Sequence, residues 1–233
     1  DAEDGYAFDY DHRIEPQFIR INTVKGKVVK NPFVEHLILT NDIESMTTGE
    51  HRWGLTVLKK DDDNYVTACI RAYTEWTDYG YWLRLYQVKD GVETLLGSTY
   101  IKTVNGTVPQ TWRIDASLSG TQLKVWVIDY ATGNKYFCEG PVDSSLTTDG
   151  ETGVFVKIAW ITPGIFRGLI TFHKSVFQRG PSVTTSLNPA DEFQIIDDPL
   201  FGSYWDSGTN QSAGQWVKFD FGANRSLATI ILS

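Results

Sequence analysis

Short runs in which apolar and polar residues alternate are the feature that most constrains how this chain can fold. They recur from residue 17 to residue 177, separated by Gly, Asn, Asp and Pro, and helical periodicity is nearly absent. Because side chains of a strand point alternately to its two faces, this pattern is typical of antiparallel sheets. The predicted strands are Gln17–Thr23, Val34–Thr40, Arg52–Lys59, Tyr65–Tyr73, Tyr81–Lys89, Glu93–Val104, Thr111–Leu118, Gln122–Asp129, Lys135–Glu139, Gly153–Trp160 and Gly168–Phe177.

The segments between these runs carry the residues that tight turns require. Lys89-Asp90-Gly91, Asn105-Gly106 and Ser119-Gly120 each join two predicted strands. About eleven strands at hairpin spacing predict two packed sheets. We therefore predict an all-β fold, a two-sheet antiparallel β-sandwich.

Composition and charge limit the partners of the chain. The formal net charge is −8, whereas binding to nucleic acid needs a cationic face. No stretch reaches the roughly 18 consecutive apolar residues that a membrane helix needs, so we expect no membrane insertion. The chain begins at Asp1 rather than Met, as expected of a processed or trimmed product. The two cysteines, Cys69 and Cys138, are compatible with one bridge or with two buried thiols.

The composition changes after Phe177. The segment from Gln178 to Ser186 is small, polar and proline-bearing, which is typical of a linker. We expect a sandwich over residues 1–179, a linker over 180–187 and a partial β segment over 188–233. The last segment is short for an independent core.

Two strands in the middle of the chain carry a family resemblance. A tryptophan opens the first strand at Trp112, a tight turn follows at Ser119-Gly120, and the second strand alternates to Asp129. This arrangement resembles the paired strands of concanavalin-like (laminin-G-like) sandwiches, as do Tyr79–Leu85 and Asp149–Val156. The resemblance covers about residues 6–177. It implies a concanavalin-like jelly roll, a fold used most often for binding rather than chemistry.

The C-terminal segment carries a second resemblance. Its motifs are Tyr204-Trp205-Asp206-Ser207, Gln215-Trp216-Val217-Lys218-Phe219-Asp220-Phe221-Gly222 and Leu227-Ala228-Thr229-Ile230-Ile231-Leu232. They are similar to the opening strands of discoidin (coagulation factor type C, carbohydrate-binding) domains. Such domains need more than twice this length, so the resemblance implies an incomplete discoidin domain, either cut short or completed by another chain.

Strand alternation predicts where a ligand would bind. It directs Arg71, Trp82, Arg84, Tyr86 and Trp126 away from the core, on one face of one sheet. Tryptophan and tyrosine rings beside arginines suit sugars, which have an apolar C–H face and in-plane hydroxyls. The same rings would equally suit a covering layer or a neighbouring subunit. With two loop tryptophans, the candidate ligand-binding residues are Arg71, Trp76, Trp82, Arg84, Tyr86, Trp126 and Trp160.

The sequence lacks recognisable catalytic motifs. The E-x-D-x-x-E triplet of glucanases that share the concanavalin-like fold occurs in no predicted strand, and the four histidines are isolated. We therefore expect a protein that is not an enzyme and has no catalytic residues.

Acidic runs provide the only candidates for a metal site. Asp61-Asp62-Asp63 lacks EF-hand spacing and is better explained as a solvated hairpin tip. The set Asp1, Glu3, Asp4, Asp9 and Asp11 is a somewhat better calcium candidate. We expect no metal ligands and no cofactor, with calcium as the one alternative left open.

These observations favour a non-catalytic carbohydrate-binding module, lectin-like or adhesin-like, secreted or on a surface, with a glycan or cell-surface polysaccharide as its partner. The alternative hypothesis is a virion or surface structural protein, such as a phage decoration, fibre or tail component. In that case the aromatic face would contact other subunits of an assembly.

Overall fold

The part of the chain that the structure describes folds almost entirely into β-strands. The computed structural model describes residues 6–11, 17–29, 31, 33–45, 49–75, 78–106, 108–160, 167–178, 182–186 and 214–220. Within these ranges the regular elements are one 3-10 turn, Ser144–Leu146, and the strands β1 (Tyr6–Asp11), β2 (Gln17–Val29), β3 (Phe33–Ser45), β4 (Gly49–Asp61), β5 (Asn64–Glu75), β6 (Asp78–Lys89), β7 (Val92–Asn105), β8 (Gln110–Ser119), β9 (Gln122–Asp129), β10 (Lys135–Pro141), β11 (Gly150–Trp160), β12 (Arg167–Gln178), β13 (Ser182–Thr185) and β14 (Val217–Asp220).

The strands form two large antiparallel sheets. Sheet A has the order β1-β12-β3-β8-β9-β10, and sheet B has the order β2-β11-β4-β5-β6-β7. A small third sheet pairs β13 with β14. Buried residues of sheets A and B form one continuous core, so the predicted two-sheet antiparallel β-sandwich is confirmed.

A hydrogen-bonded bridge links the two sheets across the largely apolar core. Trp53 of sheet B and Trp112 of sheet A are both fully buried. The Trp112 Nε1–H donates to Asn41 Oδ1 at 2.7 Å, and the Asn41 amide donates to the Tyr81 hydroxyl at 3.4 Å. Because this bridge satisfies buried polar atoms of both sheets, it helps to fix how the sheets stack.

The hairpin between β6 and β7 shows why its turn residues are needed. Asp90 and Gly91 both have positive φ, at 52° and 76°. Two consecutive positive φ values define the type I′ turn, whose twist matches that of the flanking strands. The Asp90-Gly91 dipeptide therefore fixes the register that brings β7 beside β6.

One edge of the sandwich is closed by direct contact between β7 and β10. A Cβ on Gly97 would lie 2.7 Å from Cys138 Sγ, and one on Gly140 would lie 2.6 Å from the Leu96 carbonyl oxygen. Thr99 Oγ1 also donates to the Phe137 carbonyl at 2.7 Å. Glycine is required at both positions because any side chain would separate the two backbones.

Glu35 is an ionisable group inside the sandwich. It is fully buried on β3, in register with the core residues Phe33 and Leu37. Burial raises the pKa of Glu35 well above its ordinary value, and the nearby Thr152 hydroxyl offsets this only in part. That hydroxyl already donates to the Thr56 carbonyl at 3.0 Å.

All eleven predicted strands are present, most of them extended by a few residues. The prediction missed β1, whose acidic residues were considered only as a calcium candidate. Four residues of the predicted linker form β13, which pairs with β14 in the C-terminal segment and lies against β8. The division of the chain into domains stays a prediction.

Both cysteines are buried free thiols, which decides between the two alternatives left open by the sequence. Cys138 belongs to the core between the sheets, whereas Cys69 packs in a smaller cluster on the opposite face of sheet B.

No helix in the described ranges is long and apolar enough to cross a membrane.

Candidate functional site

The outer face of sheet B, which points away from the core, carries a row of cationic and aromatic side chains. Strand register places Lys157 of β11 opposite Arg52 of β4, and Arg52 opposite Arg71 of β5. Arg71 lies opposite Trp82 of β6, which lies opposite Tyr100 of β7. Because alternation puts all five residues on one face, the row crosses five adjacent strands.

This outer face is concave. Glu93 of β7 accepts hydrogen bonds from Lys157 Nζ at 3.0 Å and from Arg52 Nη1 at 2.9 Å. In a flat sheet, β7 and β11 would be about 19 Å apart, four spacings of about 4.8 Å. A lysine and a glutamate side chain together reach only roughly 10 Å. The strands of sheet B must therefore curve around this face.

Glu50 lies at the centre of the charged cluster. Its Oε1 accepts from Arg52 Nε at 2.7 Å and from Arg71 Nε at 2.9 Å. The Tyr86 hydroxyl lies 3.4 Å from the same oxygen, and Arg84 Nη1 lies 4.0 Å from it. Burial alone would raise the pKa of Glu50, but the hydrogen bonds and charges of Arg52 and Arg71 outweigh burial and lower it to about 2.

The connected cluster carries more positive than negative charge. Its four cations are Lys157, Arg52, Arg71 and Arg84, and its two carboxylates are Glu50 and Glu93. Four positive charges minus two negative charges leave a net charge of +2, on a chain whose formal net charge is −8. This connected cluster is therefore locally cationic on an acidic protein.

Trp82 is held in a defined position on this face. A Cβ on Gly80, two residues earlier on the same face, would lie 2.6 Å from Cη2 and Cζ3 of the indole, so only glycine leaves room for the ring. The Tyr100 ring meets it edge-on with centroids 5.4 Å apart, and Arg71 Cζ lies 5.2 Å from its centroid. Tyr100 is 51% exposed, so this end of the row opens to solvent.

A buried cluster forms the floor beneath the charges. It comprises Tyr65, Cys69, Tyr86, Val88 and Phe155. The Arg52 guanidinium lies over the Tyr86 ring, with Cζ 3.8 Å from the centroid. Burial raises the pKa of Tyr86, and burial raises that of Cys69 to about 12, so both side chains are neutral at pH 7.

Four of the predicted ligand-binding residues share this face. Arg71, Trp82, Arg84 and Tyr86 lie on adjacent strands β5 and β6. Arg84 Nη1 donates to the Tyr86 hydroxyl at 3.1 Å. Tyr86 is buried rather than displayed, so it supports the arginines from below.

Trp126 does not share the face, and that part of the prediction is wrong. It lies on β9 in sheet A, is 1% exposed, and packs against Ile128 and Phe137. The ring centroids of Trp126 and Phe137 are 5.5 Å apart. Alternation correctly directed Trp126 away from the core between the sheets, but it could not indicate which sheet holds β9.

The other two candidates are not tested by the described side chains. Trp76 lies outside the described residues. Trp160 is the last residue of β11, and its backbone pairs with Gly49. The position of its side chain is not described. Both remain predictions.

The remaining members of the site were not predicted from the sequence. They are Glu50, Arg52, Glu93, Tyr100 and Lys157. Continuing the alternation of the predicted strand Arg52–Lys59 would have directed Arg52 outward. Glu50 was missed because the predicted strand began two residues after it. Glu93 had no local signal, since its contacts depend on the curvature of sheet B.

A second charged cluster lies on the outer face of sheet A. Asp115 accepts from Arg113 Nε at 2.9 Å and also contacts His36 Nδ1. Asp115 is 1% exposed, and β13 lies against its strand. This cluster is therefore enclosed, in contrast to the row on sheet B.

The described residues contain no group of three or more His, Cys, Asp or Glu side chains that could hold a metal ion. In the acidic hairpin, Asp61 accepts from the Asp63 N–H and the Asn64 amide, both at 2.9 Å. Asp62 pairs with Lys59 at 2.7 Å. Of the N-terminal acidic set, Asp9 and Asp11 belong to β1, and the others lie outside the described residues.

Comparisons with known proteins identify no family for this chain. No protein-family model and no curated protein matches the chain. Similar solved structures include a xylan β-1,4-xylosidase from Bacillus halodurans (14% identity, 63% of this chain and 27% of that chain, TM-score 0.42). An alginate lyase from Pseudomonas aeruginosa has 14% identity over 63% and 65% of the two chains, with a TM-score of 0.42. The CBM2 module of the evolved Dit protein of Lactobacillus casei phage J-1 has 13% identity over 62% and 60%, with a TM-score of 0.39.

These structures correct one sequence-based expectation. Two of the three are named as enzymes, and a glutamic peptidase is also among the similar structures. The prediction that the chain is not an enzyme, drawn from its fold and its lack of familiar motifs, is contradicted. A sandwich of this kind does not exclude catalysis.

Proposed function

We propose that this chain binds carbohydrate on the concave outer face of sheet B. The observation that carries the proposal is the row in which Trp82 is fixed between Arg71 and Tyr100. A sugar ring offers an apolar C–H face to an aromatic ring and hydroxyls to hydrogen-bonding groups at its rim. Aromatic rings and guanidinium groups side by side match both parts of such a ligand.

The face is preorganised for binding. Glu50 holds the side chains of Arg52 and Arg71, and Gly80 makes room for the Trp82 ring. Side chains that are already ordered lose little conformational entropy when a ligand binds. Curvature adds to this effect, because a concave face contacts a polymer on more than one side.

The finer parts of the sequence-based interpretation belong to the same proposal. They are a concanavalin-like, adhesin-like module, an extracellular or virion-surface location, and a separate discoidin-like C-terminal segment. The alternative, a virion or surface assembly protein, would use the same face to contact another subunit.

A glycan array followed by calorimetry on the full chain tests the proposal. Trp82→Ala is expected to weaken binding about tenfold, because stacking on an aromatic ring is worth on the order of 1 kcal/mol. Trp216→Ala is the matched control, since Trp216 is 49% exposed next to β14, outside sheet B. The control should bind like the unaltered chain.

Light scattering on the same sample separates the two hypotheses. A chain that binds glycans and loses them with Trp82→Ala supports the proposal. A defined oligomer that binds no glycan would overturn it in favour of the assembly protein, and equal loss in the two tryptophan variants would remove the site from this face.

A further inference from the structure

We infer that the glycan recognised by the concave face is acidic and that its carboxylates, as in a polyuronate, bind to Arg71 and Arg84 beside the carboxylate of Glu50. This inference rests on the proposed function and narrows it to one class of glycan. The charge and the hydrogen-bond donors of the arginines support this inference, whereas the aromatic row supports the proposed function.

The charge of the face calls for an anionic ligand. Its connected ion pairs leave an excess of two positive charges while the whole chain is acidic. A neutral sugar would leave this excess uncompensated in a concave, partly desolvated site. An anionic glycan would neutralise it, and the local field would also steer such a polymer to this face.

Arg71 and Arg84 differ from Arg52 in how many hydrogen bonds they donate to the described carboxylates. Arg52 binds carboxylates on both sides, through Nε to Glu50 and through Nη1 to Glu93. Arg71 forms its carboxylate hydrogen bond through Nε. Arg84 lies 4.0 Å from Glu50, and its buried Nε has no partner among the described residues. Among the described carboxylates, Arg84 therefore has none within hydrogen-bond distance, so an incoming carboxylate would be favoured at its guanidinium.

The face already holds one carboxylate of its own. Glu50 Oε1 is bound by two guanidinium groups and lies near the Tyr86 hydroxyl. A planar carboxylate matches the fork of guanidinium N–H groups better than a tetrahedral sulfate does, because two parallel hydrogen bonds can form. We therefore expect the acidic group of the ligand to be a carboxylate rather than a sulfate.

The positions of the residues suit one sugar unit with its acid group. Arg84 follows Trp82 by two residues on the same face of β6, roughly 7 Å along the strand. Arg71 lies opposite Trp82 on the neighbouring strand. A ring stacked at Trp82 can thus direct a carboxylate toward the two arginines, beside Glu50.

The test compares acidic polymers with neutral and sulfated ones. Binding of the full chain would be measured by calorimetry with a panel of unsulfated polyuronates: polygalacturonate, alginate and hyaluronan. Fully methyl-esterified polygalacturonate, dextran and dextran sulfate serve as comparison polymers. We expect at least one polyuronate to bind, with affinity that falls as salt rises from 50 to 500 mM. If the polyuronate is polygalacturonate, esterification should abolish its binding.

Two variants place the effect on this face. Arg84→Ala is expected to weaken polyuronate binding by a factor of ten to a hundred, as for loss of a charge-assisted hydrogen bond. Lys135→Ala, which removes an exposed cation on β10 of sheet A, is the matched control and should leave affinity within twofold.

Three other outcomes would each contradict one claim: that the ligand is acidic, that its acidic group is a carboxylate, or that this face binds carbohydrate. Equal binding of esterified and free polymer, or binding of dextran alone, would overturn the acidic ligand and leave the proposed function in place. Binding of dextran sulfate without any polyuronate would overturn the carboxylate. Failure of all polymers on this panel, together with a blank glycan array, would overturn the proposed function itself.

Discussion

The outer faces of the two sheets look alike in the sequence and differ in the structure. Trp82 and Trp126 each alternate with a basic residue and with apolar core residues. On sheet B, Trp82 is partly exposed at the end of a concave row. On sheet A, Trp126 is buried against Phe137. Alternation therefore identifies side chains that leave the central core, but it does not reveal whether another layer covers them.

The charged clusters of the two faces repeat this contrast. Asp115 on sheet A is almost fully buried and binds Arg113 and His36. Glu50 on sheet B is partly exposed and cannot neutralise the cations around it. The first cluster resembles a structural ion pair in a closed interior. The second leaves capacity for a ligand.

Replacing each of the two tryptophans by alanine should give the largest difference in stability loss between the two faces. We expect Trp126→Ala to lower the free energy of unfolding by about 3–5 kcal/mol, because it empties a buried site. Trp82→Ala should cost only about 1 kcal/mol, since its ring is partly exposed. Urea denaturation followed by far-UV circular dichroism measures both. Equal losses would show that the two faces are covered to the same extent.

Neutralising Asp115 and Glu50 in separate variants should give a smaller difference in stability loss between the two faces. Asp115→Asn leaves a buried arginine without its carboxylate and should destabilise the fold by about 3 kcal/mol. Glu50→Gln should cost about 1–2 kcal/mol, because its surroundings are partly solvated. The same denaturation series provides the values, and a larger loss for Glu50→Gln would reverse the assignment of the enclosed cluster.

The smallest effect concerns pH. The folded pKa of Glu50 is lowered to about 2 from 4.5, so its contribution to stability is present above pH 4.5 and is lost as pH falls toward 2. The stability difference between the unaltered chain and Glu50→Gln should therefore shrink over that interval. Glu35, whose folded pKa is raised, acts in the opposite direction above pH 4.5 and cancels in this difference. A constant difference from pH 5 to pH 2.5 would contradict the pairing.

The sequence predicted the strands well because each strand is encoded locally. Alternation and turn residues such as Asp90-Gly91 identified all eleven main strands and the positions of Arg71, Trp82 and Arg84. They could not identify Glu93, because its contacts arise from the bending of a sheet over five strands. They also could not assign β9 to a sheet, since strands of both sheets show the same alternation.

The two free thiols provide an internal probe of how the molecule opens. Cys69 lies under the charges of sheet B, and Cys138 lies where β10 meets β7. Each thiol is shielded in the closed form, and the pKa of each is raised by burial, so alkylating reagents reach it only when that region separates. Mass spectrometry of pulse-labelled chains can therefore time the loosening of the concave face and of the closed edge separately, without any engineered label.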